Sequence, residues 1–254
     1  MKTFGLVGYP LGHSFSAKYF KTKFDQLGIT DCEYLNFEIK EIEGVHKVLT
    51  SHPNLVGFNI TIPHKENIIP FLDEISAEAE AIGAVNTVKV DRSNPNKHRL
   101  IGFNTDCYGF SERIKPFLAS NHHKALILGT GGAAKAVHYV LKNLGIEVLY
   151  VSRNPVGKNC ISYNDLNEIA VRNFPFIINS SPLGMFPKVE QFPAIPYESL
   201  DERNYLYDLV YNPLETEFMA RGREQGAIVQ NGLQMLQLQA EKAWEIWNNK
   251  QSSI

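Results

Sequence analysis

Lys65 and Asp106 are the charged members of an otherwise neutral polar set in the first half of this chain. His13, Ser14 and Ser16 follow one apolar run, and Asn59 and Thr61 follow another and lead to Lys65. Asn86 and Thr87 come next, and Asn104 and Thr105 lead into Asp106. Such a set offers hydroxyls and amides as hydrogen-bond donors and acceptors, with one cation and one anion. That suits a small polyhydroxylated acid better than an apolar ligand or a nucleotide. A lysine beside an aspartate can handle a proton on a hydroxyl or carbonyl oxygen. Free lysine has a pKa near ~10.4, so a lysine base must be tuned or act through a hydrogen-bonded relay. The sequence leaves open which residue holds the proton. It also leaves open a plainer pair of roles, Lys65 exposed at a helix start and Asp106 capping the next helix.

The second half supplies a different signal. Lys124 to Ala136 reads KALILGTGGAAKA. Ala125 to Leu128 is a compact apolar run, as in a buried parallel strand. Gly129-x-Gly131-x-x-Ala134 follows, then helix formers to Leu144, a stop at Gly145, and a second apolar run from Ile146 to Val151. Strand, glycine turn, helix and strand make the βαβ unit that binds a dinucleotide. Gly129 permits the tight turn, Gly131 lets the backbone approach a pyrophosphate, and Ala134 lets the helix pack on the strand. The amides of the turn and helix start, over Gly129, Thr130, Gly131, Gly132 and Ala133, would face the phosphates. An ordinary glycine-rich turn is the plainer alternative. With a nicotinamide at this turn, the lysine and aspartate become the base for the proton of a secondary alcohol as its hydride leaves.

The cofactor choice rests on the end of the second strand. An enzyme for NAD places an acid there to hold the ribose 2′-hydroxyl. This chain has Ser152-Arg153-Asn154 instead. Arg153 can pair with a 2′-phosphate, Ser152 and Asn154 can donate hydrogen bonds, and Lys158 can assist. NADP is therefore expected over NAD.

These residues need elements to hold them. Phe4–Val7, Tyr34–Ile39, Leu55–Ile60, Val85–Val90 and Leu100–Phe103 read as strands. Helices are expected from Ser14 or Ser16 as cap to Gly28, over Glu41–Leu49, Lys65–Leu72 and Asp73–Ile82, and over Thr105–Leu118. Later strands are Phe176–Asn179, Tyr205–Val210 and Ala227–Val229, with a helix over Leu214–Gln225. Asp91–Lys97 reads as a polar connection, and Phe186–Pro196 as an irregular, proline-rich loop. On the last helix, from Asn231 or Gly232, Leu233, Leu236, Ala240, Ala243 and Trp247 share one face, with Gln239 beside it. The alternation implies an α/β fold with parallel or mostly parallel sheets. Two domains are expected: residues 1–105 plus 232–254 for substrate, and residues 106–231 as a Rossmann-type unit. The C-terminal helix returns to the first. A ligand cleft between them, at strand carboxyl ends, follows from the fold class. Two chain crossings also suit a hinge.

Composition bounds the class. The chain has 254 residues, 44% hydrophobic and 20% charged, with a net charge of −2. That is a globular composition, and it gives no reason to expect nucleic acid. Cys32, Cys107 and Cys160 are scattered, which argues against a disulfide framework or a zinc site and fits a reducing cytoplasm. No metal-ligand spacing stands out. The start of the chain lacks a signal peptide's continuous apolar region, and no run is long enough to span a bilayer. A cytoplasmic protein is expected. Monomer and homodimer both remain open.

Several stretches, in order, resemble the motifs of the shikimate dehydrogenase family. They are Gly8-Tyr9-Pro10-Leu11-Gly12-His13-Ser14-Phe15-Ser16, Asn59-Ile60-Thr61-Ile62-Pro63-His64-Lys65, Gly83-Ala84-Val85-Asn86-Thr87 and Gly102-Phe103-Asn104-Thr105-Asp106. The second half adds the glycine turn, Asn179-Ser180-Ser181-Pro182-Leu183-Gly184-Met185, Asp208-Leu209-Val210-Tyr211-Asn212-Pro213, and Gly232-Leu233-Gln234-Met235-Leu236 leading to Gln239. The resemblance implies reversible reduction of 3-dehydroshikimate to shikimate by NADPH, with Lys65 and Asp106 as the catalytic pair. It implies substrate contacts from Ser14, Ser16, Asn59, Thr61, Asn86, Tyr211 and Gln239, and adds Leu209 and Gly232 to the cofactor set. Each also has a plainer role: helix cap for the serines, turn residue for Asn86, packed ring for Tyr211, solvated residue for Gln239.

The chain departs from the family pattern at Ala17, where proline is usual, and at Lys18-Tyr19-Phe20. Ser152-Arg153-Asn154 replaces the usual Asn-Arg-Thr. A quinate/shikimate dehydrogenase with broader substrate or NAD use is the near alternative. A non-catalytic NADP-binding accessory protein is the distant one, and keeping both Lys65 and Asp106 argues against it. A folate dehydrogenase fits the serine-rich first loop poorly.

Overall fold

A computed structural model describes residues 1–12, 15–94 and 97–249. The chain divides into two compact units, Met1–Tyr108 with Gln239–Ile254, and Gly109–Leu238. The strands are β1 (Lys2–Gly8), β2 (Cys32–Glu38), β3 (Leu55–Ile60), β4 (Glu74–Ile75), β5 (Thr87–Asn94), β6 (Lys97–Phe103), β7 (Lys124–Leu128), β8 (Glu147–Ser152), β9 (Cys160–Ser162), β10 (Phe176–Asn179), β11 (Tyr205–Asp208) and β12 (Ile228–Gln230). The α-helices are α1 (Phe15–Leu27), α2 (Val45–Ser51), α3 (Ala77–Ile82), α4 (Asp106–Ile114), α5 (Gly132–Asn143), α6 (Glu168–Asn173), α7 (Glu217–Glu224) and α8 (Leu233–Asn248).

The first unit holds a mixed sheet in the order β2-β1-β3-β5-β6-β4. β1 runs parallel to β2 and β3, while β5 is antiparallel to both β3 and β6. Register then decides where the polar residues meet. Val7 of β1 pairs with Ile60 of β3, so both carboxyl ends lie together. Antiparallel β5 brings its amino end to the same place, with Thr87 opposite Asn59 on one side and Phe103 on the other. The segments carrying Ser16, Thr61 and Lys65, Asn86, and Asp106 therefore leave one end of one sheet.

Apolar packing fixes that sheet from both faces. One cluster gathers Val7, Leu55, Phe58, Ile60 and Val88 with Val45 and Leu49 of α2. The other joins Phe4 to Phe20 and Phe24 of α1 and to Ala240, Ala243 and Trp247 of α8. Phe20 and Phe24 are one helical turn apart, so they share the buried face. The Trp247 indole N–H donates to the Val88 carbonyl at 3.0 Å. Gly57 must be glycine for this, because a Cβ there would overlap the Trp247 ring. The last helix thus seats on β3 and β5, and Gln239 rides with it.

Several sequence expectations are corrected here. No helix spans Lys65–Leu72; the chain makes turns, with a 3-10 turn at Ile69–Phe71 around Pro70, which has no N–H to give. Glu74–Ile75 is a short strand parallel to Ile101–Gly102, and the helix waits until Ser76 caps the Ala79 amide. The Asp91–Lys97 connection is shorter than expected, since strand extends to Asn94 and resumes at Lys97. Arg99 ties these arms by an ion pair to Asp91 at 2.7 Å. Helix α4 stops at Ile114, before Pro116, and a 3-10 turn follows. Ser16 lies inside α1 rather than capping it.

The second unit is a parallel sheet in the order β12-β11-β10-β7-β8-β9. Sequence proceeds outward from β7 in one direction through β8 and β9, and outward through β10, β11 and β12 in the other. That reversal beside β7 is the switch point at which dinucleotides bind in doubly wound folds. Leu126, Leu128, Val151, Ile177, Leu206 and Phe218 fill its core. Strand β9 and helix α6 are additions to the expected elements; at three and six residues they are too short to show a period. Among the described residues, no helix is long and apolar enough to cross a membrane, and no His/Cys/Asp/Glu group could hold a metal.

Candidate active site

In the first unit the Lys65 ammonium donates to Asp106 Oδ2 at 2.6 Å. Both side chains are mostly covered, at 17% and 10% exposure, so solvent screens the pair only in part. Asn86 Nδ2 donates to the other carboxylate oxygen, Asp106 Oδ1, at 2.9 Å. Asp106 is the first residue of α4, where the helix dipole favours an anion. It does not serve as the helix's capping side chain. Asn104 does that, its Oδ1 accepting from the Cys107 amide at 3.2 Å and its Nδ2 donating to the Ala84 carbonyl at 2.9 Å. The Asp106 carboxylate is left for Lys65 and Asn86. Lys65 sits in a turn rather than on a helix, and its carbonyl accepts from the Val85 amide at 2.8 Å.

Asn86 is the hub of the buried polar set. Its Oδ1 accepts from the Thr105 amide at 2.7 Å and from the Thr87 hydroxyl at 3.1 Å. Gln239 Oε1 accepts from the Thr105 hydroxyl at 3.3 Å and stands 3.4 Å from Asn86 Nδ2. Gln239 is buried rather than solvated, facing the junction of β5, β6 and α4. Asn59 Nδ2 donates to the Thr87 hydroxyl at 3.1 Å, and Asn59 Oδ1 accepts from the Tyr34 hydroxyl at 2.9 Å. Ser16 is buried. Thr61 follows β3, half-buried, its amide on the Val7 carbonyl at 2.9 Å. The Thr61–Lys65 turn is pinned further by buried His64, whose Nε2 lies 2.8 Å from the Ile39 carbonyl. Ser14 and His13 lie outside the described residues. Tyr211 belongs to the second unit, half-buried after β11, where burial raises its hydroxyl pKa.

The glycine turn of the second unit has two kinds of glycine. Gly129 has φ +115°, a conformation side chains rarely adopt, and a Cβ would come within 3.0 Å of Ser180 Oγ. Gly131 has φ −74° and ψ −179°, open to any residue, and a Cβ there would meet no protein atom within 4 Å. No contact within the fold requires glycine at Gly131, and the space beside it is open. Gly132 opens α5, and with Thr130, Ala133 and the following amides it forms a helix start able to take an anion. Ala134 is fully buried, as helix-on-strand packing requires.

At the end of β8, Ser152 Oγ accepts from the Asn154 amide at 3.2 Å, which turns the chain and leaves Arg153 and Lys158 exposed. Two cations and no carboxylate stand in this stretch, a donor set that fits a 2′-phosphate. Leu209 and Gly232 pack together: the Gly232 amide donates to the Val210 carbonyl at 3.1 Å, and a Cβ at Gly232 would overlap the Leu209 carbonyl oxygen. Gly232 thus has a packing reason of its own.

Asp208 was not singled out by the sequence, although it stands in a quoted motif. It is fully buried at the end of β11. Its carboxylate accepts from the Val210 amide at 2.9 Å, Asn179 Nδ2 at 3.0 Å and the Thr216 hydroxyl at 2.6 Å. It therefore ties the loop before Tyr211 to the end of β10 and to the cap of α7. Burial pushes its pKa up to about 7, against the lowering effect of those donors. An acid at the end of an apolar strand, followed by Asn-Pro, was the available signal.

Comparison with known proteins points to one family. A family model described as the shikimate dehydrogenase substrate binding domain matches residues 6–88. A protein of Methanococcus maripaludis named shikimate dehydrogenase (NADP(+)) is 37% identical, over 100% of this chain and 94% of its own. One of Clostridium beijerinckii with the same name is 38% identical, over 99% of this chain and 93% of its own. The structure of shikimate 5-dehydrogenase from Thermus thermophilus in complex with NADP(H) and shikimate superposes with a TM-score of 0.83 at 32% identity, covering 98% of this chain and 94% of that one.

Proposed function

The chain belongs to the shikimate dehydrogenase family, and we propose that Lys65 and Asp106 carry the proton-transfer step of its reaction. The reaction is the reversible, NADPH-dependent reduction of 3-dehydroshikimate to shikimate. NADPH, when bound, supplies the hydride to the ketone carbon. The chain's own residues manage the oxygen. Lys65 gives its proton to the carbonyl oxygen as that atom becomes a hydroxyl, and takes it back in the reverse direction. Asp106 orients the ammonium and stabilises its charge, and Asn86 holds the second carboxylate oxygen. The observation that carries this reading is the 2.6 Å contact of Lys65 with Asp106, backed by Asn86 at 2.9 Å.

In this reading residues 1–105 with 232–254 hold the substrate, and residues 106–231 hold NADP. Ser14 and Ser16 take the substrate carboxylate without adding charge. Asn59, Thr61, Asn86, Gln239 and Tyr211 read the ring hydroxyls. The Gly129–Ala133 turn takes the pyrophosphate, Ser152, Arg153, Asn154 and Lys158 the 2′-phosphate end, and Leu209 and Gly232 border the nicotinamide side. Its three cysteines are free, which suits the reducing cytoplasm in which we place it. The test is NADPH formation by the purified protein with shikimate, run beside shikimate with NAD and quinate with either cofactor. NADP-dependent turnover of shikimate is expected. Activity confined to quinate or NAD contradicts the specificity, and none on any pair contradicts the enzyme.

A further inference from the structure

Tyr34 takes no part in any motif above, yet its side chain sits where the substrate-site residues meet. It lies on β2, paired with Phe4 of β1. Its ring stacks on Phe20 of α1, with centroids 4.6 Å apart and planes 12° from parallel, and lies 6.4 Å from Trp247 of α8. Apolar packing therefore fixes the ring whether or not its hydroxyl is present. Phe20 is four residues beyond Ser16, so the helix that holds the ring also presents Ser16 on the same face.

The sense of the hydroxyl's bond is determined. Tyr34 donates to Asn59 Oδ1 at 2.9 Å. Burial raises the tyrosine pKa well above the ordinary range, against a smaller lowering by Ser16. From Asn59 the bonds continue in one direction. Asn59 Nδ2 donates to Thr87 Oγ1 at 3.1 Å, Thr87 to Asn86 Oδ1 at 3.1 Å, and Asn86 Nδ2 to Asp106 Oδ1 at 2.9 Å. Lys65 closes the far end on Asp106 Oδ2. Every donor along this path points towards Asp106, so each bond polarises the next in the same sense.

We propose that Tyr34 is a positioning residue of the substrate site, packing the helix that carries Ser16 and joined, through Asn59, to the Lys65–Asp106 pair. The inference rests on the reading above that Ser16 and Asn59 contact the substrate. Tyr34 acts through them. It donates the hydrogen bond that satisfies the buried Asn59 carbonyl, and its ring packs the helix that presents Ser16. A substrate reaching Asn59 therefore meets an amide already held in place, on a path that ends at the catalytic pair.

Tyr34→Phe tests this, since it keeps the stacked ring and removes only the hydroxyl. The KM for shikimate rises about tenfold, the loss of one net hydrogen bond, while the KM for NADP stays as in the wild type. A second measurement needs no turnover. In the ligand-free protein, the side-chain amide ¹H–¹⁵N signals of both Asn59 and Asn86 shift in Tyr34→Phe, because the orientation of each depends on the path. Unchanged KM for shikimate, or unchanged amide signals at both asparagines, overturns the proposal and leaves Tyr34 as packing alone. Were the wild type inactive on shikimate, the substrate assignment would fail, and the amide signals would still decide the role of Tyr34.

Discussion

Lys65 Nζ and Asp106 Oδ2 lie 2.6 Å apart although 41 positions separate them in the chain. The antiparallel turn of β5 and β6 within a parallel-rich sheet makes the meeting possible, because it returns the chain to the end where β3 delivers Lys65. Both carboxylate oxygens of Asp106 are engaged by donors, Lys65 on one and Asn86 on the other. Asp106→Asn keeps the shape but sets an amide N–H against one of those donors. The kcat falls about 10²–10⁴-fold, the usual worth of a positioned proton-transfer group. The affinity for NADP, measured by titration, does not move. A kcat within a factor of three of wild type would remove Asp106 from the chemistry.

Arg153 is the residue proposed to select NADP over NAD. A charge-assisted hydrogen bond contributes about 1.5–3 kcal/mol, or roughly 10–100-fold in affinity. Arg153→Ala therefore raises the KM for NADP by that factor and leaves the KM for NAD nearly as it was. Equal changes for both cofactors would place Arg153 away from the 2′-phosphate.

The two turn glycines separate fold from ligand. Gly131 stands in extended backbone with open space around its Cβ direction, so Gly131→Val costs no more than about 1 kcal/mol of stability as a poorer cap. It nevertheless lowers NADP affinity at least about tenfold, measured by titration, by blocking the backbone's approach to phosphate. Gly129→Val is strained at φ +115° and lowers stability by about 1–3 kcal/mol, measured by denaturant melts. If Gly131→Val binds NADP normally, the turn is only a turn.

Asp208 gives a pH dependence whose sign is fixed by its burial. Its pKa is about 7 in the folded chain against 3.8 when exposed. Folded protein thus holds the proton more tightly than unfolded chain does. The contribution is fully present below about pH 4 and is lost as pH rises through about 7. At 1.36 kcal/mol per pH unit the loss is on the order of 4 kcal/mol. Asp208→Asn removes this group's share, so its stability falls less steeply between pH 4 and 8 than that of the wild type in parallel urea melts. Parallel slopes would mean that the carboxyl ionises in the fold without penalty.

Much of this was readable in the sequence where a single local property decides the structure. Leu55–Ile60 and Phe176–Asn179 are strands with the expected ends, because an apolar run between turn residues has no competing reading. The glycine turn was readable for the same reason. Lys65 and Asp106 stood out because few charges interrupt the polar stretches around them. What was missed depends on partners distant in the chain. Glu74–Ile75 looks helical until Ile101 and Gly102 are there to pair with it. Asn104 and Asp106 are both able to cap α4, and only the position of Lys65 shows which one is spared. The apolar stripe on α8 left Gln239 looking peripheral, and Thr105 and Asn86 bring it inside. Tyr34 reads as one more aromatic residue of a strand, since nothing local says where its hydroxyl ends.

The central claim is that Lys65 moves the proton in shikimate oxidation and is not needed to hold the fold or the ligands. The direct measurement is kcat for shikimate and NADP in Lys65→Ala, with shikimate affinity followed in the same samples by the fluorescence of Trp244 and Trp247. The account predicts a kcat lower by about 10²–10⁴-fold with shikimate still bound within about tenfold of the wild-type affinity. A variant that binds shikimate as the wild type does and turns it over at an undiminished rate would contradict it.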